Sequence, residues 1–514
     1  MKLERFFEKF DLFAEAPDAV ARMREVVLEL AVRGKLTEQK TEDTKDPEWQ
    51  KLTALLDADT HQSSAVFQQP FVIPTSWKWA TLEKLGNSKP RNDIAETTKC
   101  SFVPMKHIPS EYGFLVQHEE RIWGEIKKGY THFKNDDVVL AKITPCFENG
   151  KSAVMKGLMG GYGAGTTELH VFRPGSKAIL PEFVLVYLKT RGFISRGEPQ
   201  MTGSAGQKRV PQAYFARSPF PLPPLAEQKR IVAKVDELMA LCDQLEEQQQ
   251  ERQTRHAALV QAGLARFTQD PTPANLQLLF HPSYTVSPAD LRKTILTLAV
   301  QGKLVPQESD SVLGTLQSIL SEASVNGVSK GPTADTSAVE VLRISAGTSR
   351  EDFYVNEADF KHVDLPPNDV EKFRLVPGDL LACRFNGNLH FVGRFSLYRG
   401  ESGRIQVNPD KLIRFRINTA LHSPRYVCFA MNAAPTREAI EAMCATTAGN
   451  IGLSAGKLKT VEIPLPPLAE QRRIVAKVDE LLALVDELEN QLVASRTVAQ
   501  NLLAALVREL TTTP

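Results

Sequence analysis

The sequence lacks the features of a membrane protein or of a protein from an oxidising compartment. No apolar run approaches the ~20 residues of a membrane span, and the charged start of the chain does not fit a signal peptide. The six cysteines stand far apart without a Cys-x-x-Cys pair, so free thiols are expected rather than disulfides or a zinc site. These absences favour a cytoplasmic protein.

The chain also lacks the motifs of several enzymes. A DNA amino-methyltransferase would need an Asn/Asp-Pro-Pro-Tyr/Phe element, and the nearest string, residues 365–369, has the wrong flanks. Glu168 stands where a dinucleotide-binding fingerprint needs its third glycine, and Pro145 stands where a P-loop needs its first. The histidines show no His-Glu-x-x-His spacing. The sequence therefore predicts no catalytic residue and no metal site.

Composition is that of an ordinary globular protein, but charge is unevenly distributed. The chain has 514 residues, 42% of them hydrophobic and 24% charged, which is enough for several domains. Its net charge of +1 combines +8 in residues 75–220, +1 in residues 311–463 and −8 elsewhere. A basic block beside an acidic frame favours a polyanion on one part and protein partners on another. Chance variation of surface charge is the alternative, and for residues 311–463 it is the preferred one.

What the sequence does contain is one string twice. Residues 221–238 read PLPPLAEQKRIVAKVDEL, and the string returns at residues 464–481 with Arg472 in place of Lys229. Upstream of each copy, LAVRGKL at residues 30–36 matches LAVQGKL at residues 298–304. Helix propensity accepts many residues at each site and cannot explain such identity. The chain is therefore two tandem half-molecules that share a helical frame and differ in their inserts.

Long helices are predicted after both double prolines. Apolar residues follow at alternating spacings of four and three, as in a coiled-coil seam, and no proline interrupts residues 225–270 or 468–513. Helices of about 40 residues are about 60 Å long, and neither can bury so long a stripe alone. We expect the two copies to pack on each other; the alternative is that each is buried in its own domain. The predicted seam, also a candidate partner-binding surface, comprises Leu225, Ile231, Val235, Leu238, Leu245, Leu468, Ile474, Val478, Leu481, Val485, Leu488 and Leu492.

Shorter elements are predicted from apolar periodicity and turn residues. Residues 1–36 read as helical with a stop at Gly34, and a second such element ends at Gly302. The β-rich runs are residues 137–143, 168–173, 183–188, 339–344, 379–383 and 411–417, of which 183–188 could also be helix.

These patterns predict an α/β (α+β) protein with a pseudo-twofold tandem repeat, in which two long antiparallel helices separate two globular recognition domains. The predicted segments are an N-terminal helical segment and linker (1–74), a first recognition domain (75–220), a central long helix (221–270), a repeated helical segment (271–310), a second recognition domain (311–463) and a C-terminal long helix (464–514).

The two inserts share a skeleton of residues suited to nucleic acid. Residues 137–142 align with 379–384 as a strand followed by a cation, and residues 204–207 align with 447–450. Arg and Lys serve phosphates and guanine edges, and Gln or Asn can pair with adenine. For any single residue a solvated surface charge is the alternative. The candidate DNA contacts are Lys106, Lys142, Asn149, Lys151, Gln207, Lys208, Arg209, Arg343, Arg384, Asn386, Asn388, Arg394, Arg414, Arg416, Asn450 and Lys457.

The two PLPPLAEQ(K/R)RIV strings, the two AVxGKL strings, residues 203–209 and Phe215 resemble the specificity subunit of type I restriction–modification systems. The resemblance implies a non-catalytic subunit whose two target recognition domains each read one half of a bipartite double-stranded DNA sequence. It also implies that the helices space the domains and dock two methyltransferase subunits, which the restriction subunits join. S-adenosylmethionine, ATP and Mg²⁺ are implied on those other chains and no cofactor on this one. The alternatives are a coiled-coil adaptor that does not bind DNA and a methyltransferase.

Overall fold

The computed structural model describes residues 16, 18–60, 69–204, 206–270, 272, 274–275, 286–307, 311–447 and 450–512. It separates into two compact units. The first comprises residues 1–252 and 495–514, and the second comprises residues 253–494. The unit boundaries fall inside the two long helices, whereas the sequence prediction gave each long helix a segment of its own.

The first unit begins with a helical frame and continues into a mixed insert. Its elements in chain order are α1 (Ala19–Val32), α2 (Pro47–Thr60), β1 (Lys78–Ala80), α3 (Leu82–Leu85), β2 (Gly86–Asn87), β3 (Lys99–Val103), β4 (Glu119–Ile122), α4 (Trp123–Ile126), β5 (Thr131–Lys134), β6 (Val138–Ala141), β7 (Ser152–Val154), β8 (Tyr162–Gly165), β9 (Leu169–Pro174), α5 (Pro181–Leu188), α6 (Arg191–Gly197), α7 (Gln212–Arg217), β10 (Phe220–Leu222) and the start of α8 (Leu225–Gln269).

Two four-stranded sheets carry the first insert. One has the antiparallel order β2-β9-β6-β7, and the other has the order β4-β3-β8-β5 with β3 and β8 parallel. All four residues of β6 are buried, which explains why its sequence is a continuous apolar run rather than an alternating one. The apolar run at 183–188 forms helix α5 and not a strand; Pro181 at its first turn has the φ angle that a helix start requires.

The second unit repeats this plan. After the end of α8 it contains α9 (Pro288–Val300), β11 (Val312–Thr315), β12 (Val325–Asn326), β13 (Val339–Leu342), β14 (Phe360–Val363), α10 (Pro367–Phe373), β15 (Leu380–Cys383), β16 (Phe385–Asn386), β17 (Phe395–Leu397), β18 (Gln406–Val407), β19 (Leu412–Phe415), α11 (Pro424–Asn432), α12 (Ala434–Ala442), β20 (Ala445–Thr447), β21 (Asn450–Gly452), α13 (Ala455–Lys459), β22 (Glu462–Leu465) and the start of α14 (Leu468–Thr512).

Its sheets match those of the first unit. The order β12-β19-β15-β17 corresponds to β2-β9-β6-β7, and β14-β13-β18 keeps the parallel pair in β13 and β18. The pair β11-β22 corresponds to β1-β10 and leads into α14 as β10 leads into α8. A small sheet, β16-β21-β20, follows β15.

Equivalent ion pairs tie the short frame helix to the long helix in each unit. In the first unit Arg24 of α1 binds Asp243 and Glu246 of α8, at 2.7 and 2.6 Å. In the second unit Arg292 of α9 binds two acids of α14 in the same way, both at 2.6 Å. The sequence repeat is therefore also a repeat of contacts.

The long helices pack together, as the seam predicted, but only along part of their length. Cys242 and Leu245 of α8 share a core with Leu503 and Leu506 of α14 and with α1. In the second unit the core that buries the start of α14 also contains Val260, Leu264 and Phe267 at the end of α8. The earlier part of one helix thus joins the later part of the other in both units, as expected for antiparallel helices.

The apolar residues in the first turns of α8 are buried in a different core from those further along the helix. Ile231, Val235 and Leu238 are buried in the core of their own unit, together with α5 and β6, rather than in the core that contains α14. Burial in its own domain, the alternative interpretation, therefore holds for this part of α8. Among the other predicted seam residues, Ile474, Val478, Leu481 and Val485 are buried, and Leu225, Leu245, Leu468, Leu488 and Leu492 are half-buried.

Candidate DNA interface

A buried acid and a bidentate arginine fix the strand that precedes the candidate cation in each unit. Arg173 donates to both carboxylate oxygens of Asp137 at 2.8 Å, and Arg416 donates to both of Asp379 at 2.7 and 2.9 Å. Each carboxylate also accepts the backbone amide three residues before it. Burial raises the pKa of Asp137, and the hydrogen bonds from Arg173 oppose that shift. The two pairs place Lys142 and Arg384 at equivalent positions, directly after β6 and β15.

Lys142 lies in a basic cleft of the first unit. The cleft has a volume of about 600 Å³, and Lys89, Arg91 and Arg209 also line it. Lys142 and Arg209 were predicted from the sequence, whereas Lys89 and Arg91 were missed. Within the described ranges, no carboxylate lies within ion-pair distance of Lys89, Arg91 or Lys142. A concave surface with this excess of positive charge suits a phosphate backbone.

The lining of the basic cleft includes an ion-paired arginine and a buried histidine. Arg209 donates through Nε and Nη2 to the carboxylate of Glu168, at 2.9 and 2.8 Å, and these bonds lower the pKa of Glu168. Burial lowers the pKa of His170 to about 4, and its Nε2–H donates to the carbonyl of Val210 at 2.9 Å. The side chain of Arg209 remains 41% exposed and is therefore oriented by Glu168 without being covered.

The other candidates of the first unit lie at the surface with one exception. Lys106, Asn149, Gln207 and Lys208 are exposed. Lys151 is half-buried, and its ammonium donates to the carbonyl of Met105 at 3.3 Å.

Sequence reasoning overlooked Lys189, which organises two loops of the first unit. Its ammonium is buried and donates to the carbonyls of Pro109, Ser110 and Gly150 at 2.9, 2.8 and 2.9 Å. Burial lowers the pKa of Lys189 to about 7. The charge is satisfied by main-chain dipoles, so Lys189 supports the loop that carries Asn149 and Lys151 instead of contacting a ligand.

In the second unit the loop after β15 presents a guanidinium stacked on an aromatic ring. The Arg384 guanidinium carbon lies 4.7 Å from the ring centroid of Phe385, and Phe385 is 36% exposed. The side-chain oxygens of Asn386 and Asn388 accept backbone amides two residues further along, at 2.9 and 3.0 Å. The asparagines therefore shape the loop, and the sequence-predicted Arg384 stays available at its surface.

Three predicted arginines of the second unit are engaged by the protein itself. Arg394 and Arg414 are only 4% and 5% exposed. Arg394 donates to the carbonyl of Arg350 at 2.7 Å, and Arg414 donates to the carbonyl of Arg374 at 2.7 Å. Arg416 forms the buried pair described above. Arginine chemistry alone did not reveal this, because the acceptors lie about 40 residues away in the chain.

The remaining second-unit candidates lie nearer the surface. Arg343 is exposed, and its Nε donates to the carbonyl of Phe360 at 3.1 Å. Lys457 is exposed and donates to the carbonyl of Met443 at 2.6 Å. Asn450 begins β21, and its side chain lies outside what the structure describes.

Neither a metal site nor a membrane span emerges from the described part of the chain. No group of three or more His, Cys, Asp or Glu residues there could hold a metal ion. No helix there combines the length and the apolar character that crossing a bilayer requires. All six cysteines are free.

Comparison with known proteins identifies the family. The family model described as "Type I restriction modification DNA specificity domain" matches residues 81–253 and 407–495. The specificity subunit of the type I restriction enzyme EcoEI from Escherichia coli is 32% identical, over 97% of this chain and 94% of that subunit. The chain belongs to the type I restriction–modification specificity subunits.

Two further comparisons agree with this assignment. The EcoAI specificity subunit from Escherichia coli is 40% identical over 58% of this chain and 54% of its own length. A chain in a solved structure of a type I restriction–modification system, titled for its complex assembly and conformational transition, matches with a TM-score of 0.53 at 19% identity, over 86% of this chain and 99% of that one. This last likeness concerns the fold alone.

As a specificity subunit, the chain is the non-catalytic DNA-recognition component of its enzyme. The family predicted from the repeated strings is thereby confirmed. The two alternatives, an adaptor that does not bind DNA and a methyltransferase, are set aside.

Proposed function

We propose that each unit of this specificity subunit reads one half of a bipartite DNA sequence in the cytoplasm. The observation that carries the proposal is the contrast between a frame that contains nearly identical strings in both halves and inserts that differ in most residues. The first insert offers a basic cleft around Lys142, and the second offers Arg384 stacked on Phe385 at the equivalent place. Two surfaces of different chemistry on one frame suit two different half-sites.

The interface that we propose is narrower than the full set of predicted residues. In the first unit it comprises Lys89, Arg91, Lys142 and Arg209, which line the cleft. The exposed residues Lys106, Asn149, Gln207 and Lys208 remain further candidates of that unit. In the second unit it centres on Arg384. We leave out Arg394 and Arg414, whose side chains are buried, and Arg416, which holds the buried carboxylate of Asp379. If one of these guanidinium groups left its internal acceptors to meet DNA, those acceptors would remain without donors.

We further propose that α8 and α14 set the number of unread base pairs between the half-sites. Seven residues inserted into each helix, after residue 252 and after residue 494, would lengthen both by about 10 Å. This corresponds to about three base pairs at about 3.4 Å each. Genome-wide mapping of modified adenines should then reveal the same half-sites at a wider separation. An unchanged separation would contradict the role of the helices as a spacer.

A second repeated surface suits two copies of one protein partner. We call it the repeat stripe: Ala226, Lys229, Ala233, Ala240 and Leu241 on α8, and Ala469, Arg472, Ala476, Ala483 and Leu484 on α14, all exposed. Folding does not require identity at exposed positions, yet four of the five match and the fifth keeps its charge. Leu241 and Leu484 are 39% and 43% exposed. Equal surfaces in both units fit equal partners, which we take to be two methyltransferase subunits.

The chemistry of the complex would then belong to those partners. The methyltransferase subunits would supply S-adenosylmethionine and methylate adenine at N6, and restriction subunits with ATP and Mg²⁺ would join them. This chain would supply position: it would bring an enzyme to each half-site.

Co-expression of the chain with its methyltransferase subunit tests the proposed reading function. Mapping of methylated adenines should yield two short motifs at a fixed separation. Exchange of residues 311–463 for those of a relative should change one motif and leave the other, since the other insert is untouched. A change in both motifs, or in neither, would contradict one reader per unit.

The repeat stripe has its own test. Leu241→Asp together with Leu484→Asp should abolish co-purification of the methyltransferase subunit, because each change places a charge in a desolvated contact. Leu55→Asp on α2 is the matched control, since Leu55 is 62% exposed and lies outside the repeated strings. Equal capture of the partner by all variants would remove the repeat stripe from the proposal.

A further inference from the structure

The two units place different side chains at one equivalent point of their DNA-reading surface. In the first unit Arg209 forms antiparallel bridges to Ile143 and to Thr202. In the second unit Gly452 pairs in the same way with Phe385 and Ala445. Ile143 and Phe385 each follow the cation that ends the equivalent strand, so the correspondence rests on backbone pairing as well as on sequence.

The first unit fills this point with charge. Arg209 stands there with its guanidinium held by both oxygens of Glu168, next to Lys142 in the basic cleft. Lys89 and Arg91 line the same cleft, so cationic hydrogen-bond donors are concentrated at this surface. Such a surface suits phosphates and the polar edges of bases.

The second unit fills the same point with an aromatic ring. Gly452 has no side chain, and the ring of Phe385 occupies the space: a Cβ added at Gly452 would clash with Cδ1 and Cε1 of the ring. Arg384 covers part of the ring from 4.7 Å, yet the phenylalanine remains 36% exposed. Gly452 leaves room for the ring of Phe385, and Arg384 covers only part of it. An apolar face of Phe385 is therefore exposed where the first unit has the guanidinium of Arg209.

We infer that Phe385 is a specificity-determining residue of the second unit, which contacts the 5-methyl group of a thymine in the second half-site. This inference rests on the proposed reading function. In the major groove the thymine methyl is the apolar feature of the base edges, and phenylalanine is among the side chains that suit it. The stacked guanidinium of Arg384 can meet a phosphate or a guanine beside that thymine.

The test uses the full chain in complex with its methyltransferase subunit and duplexes carrying the mapped motif. Each thymine of the second half-site is replaced in turn by deoxyuridine, which lacks only the methyl group. One replacement should weaken binding about fourfold, the value for burying one methyl-sized group. The Phe385→Ala complex should bind the thymine and deoxyuridine duplexes equally, and Phe385→Tyr, which keeps the ring, should still distinguish them.

Leu389→Ala is the matched control, since Leu389 lies in the same loop and is also 36% exposed. It should retain the preference for thymine. Phe385→Ala must keep its response to base changes in the first half-site, which shows that the complex is intact. The inference is overturned if Phe385→Ala still distinguishes the two duplexes, or if no thymine of the second half-site is sensitive in the wild type. A complex that methylates no bipartite motif would instead contradict the proposed function.

Discussion

The Asp379–Arg416 pair offers a test of whether Arg416, which the sequence predicted to contact DNA, is instead a structural residue. The carboxylate of Asp379 is fully buried, and it accepts two hydrogen bonds from Arg416 and one, at 2.9 Å, from the backbone amide of Val376. Loss of one partner of a buried pair costs about 3–5 kcal/mol, because the other charge stays uncompensated. We expect Arg416→Met to lower the free energy of unfolding of the second unit by that amount. An exposed arginine that contacted only DNA would change it by no more than about 0.5 kcal/mol.

Urea unfolding followed by two signals separates the units. The four tryptophans, Trp49, Trp77, Trp79 and Trp123, all lie in the first unit. Tryptophan fluorescence therefore follows that unit alone, whereas far-ultraviolet circular dichroism follows both. Arg416→Met should shift the circular dichroism transition and leave the fluorescence transition in place. Arg173→Met, the equivalent change, should shift the fluorescence. If Arg416→Met unfolded like the wild type and lost only DNA binding, the structural role of Arg416 would be refuted.

Three further outcomes are expected. Lys89→Ala and Lys142→Ala should each weaken binding to any duplex and reduce the slope of log affinity against log salt by about one, whereas Lys51→Ala on α2 should not; equal slopes would remove the basic cleft from the interface. Burial lowers the pKa of His170 from 6.5 to about 4. The unfolded chain therefore takes up a proton there before the folded protein does, and about 3 kcal/mol of the free energy of unfolding, fully present above pH 6.5, is lost as the pH falls through 4. The wild type should therefore lose more stability than His170→Gln between pH 6.5 and 4 by tryptophan fluorescence, and parallel pH curves would contradict this. Gly34→Ala should destabilise more than Gly302→Ala in thermal unfolding: both have φ near +67°, but a Cβ at Gly34 meets the Pro74 ring and one at Gly302 meets the flexible end of Gln307; equal melting temperatures would argue against that packing.

The frame was predictable because its signals are local and occur twice. The double prolines, the long stretches without proline and the apolar spacing specify α8 and α14 without reference to the rest of the chain. The strands β6, β13, β15 and β19 fall inside predicted β-rich runs, and β9 exceeds its predicted run by one residue, Pro174. The 183–188 run was ambiguous because a short, wholly buried element shows no periodicity, whether it is helix or strand. The sequence could not show where the contact between α8 and α14 ends along α8. Tertiary packing decides whether Ile231 joins the core that contains α14 or the core of its own unit.

The candidate interface was predictable in position but not residue by residue. Alignment of the inserts identified Lys142 and Arg384, because each directly follows a recognisable strand. It could not separate Arg384, which stacks at the surface, from Arg414, which is buried, since the acceptors of Arg414 come from distant parts of the chain. Phe385 was overlooked because its exposure depends on a glycine 67 positions later, which only the pairing of β16 with β21 brings beneath it.

The boundary between the units crosses the two long helices at equivalent turns. The last part of α8 therefore belongs to the second unit, and the last part of α14 belongs to the first. Under the proposed function, a gene fragment that ended near residue 270 would encode one recognition insert, with the end of α8 that belongs to the second unit and without the end of α14 that belongs to the first. A second copy of the same fragment carries the required piece. Two such fragments would complete each other by exchanging helix ends, and the resulting symmetric dimer would recognise a palindromic DNA sequence. After the two copies were joined in tandem, one of them could diverge and recognise a different half-site.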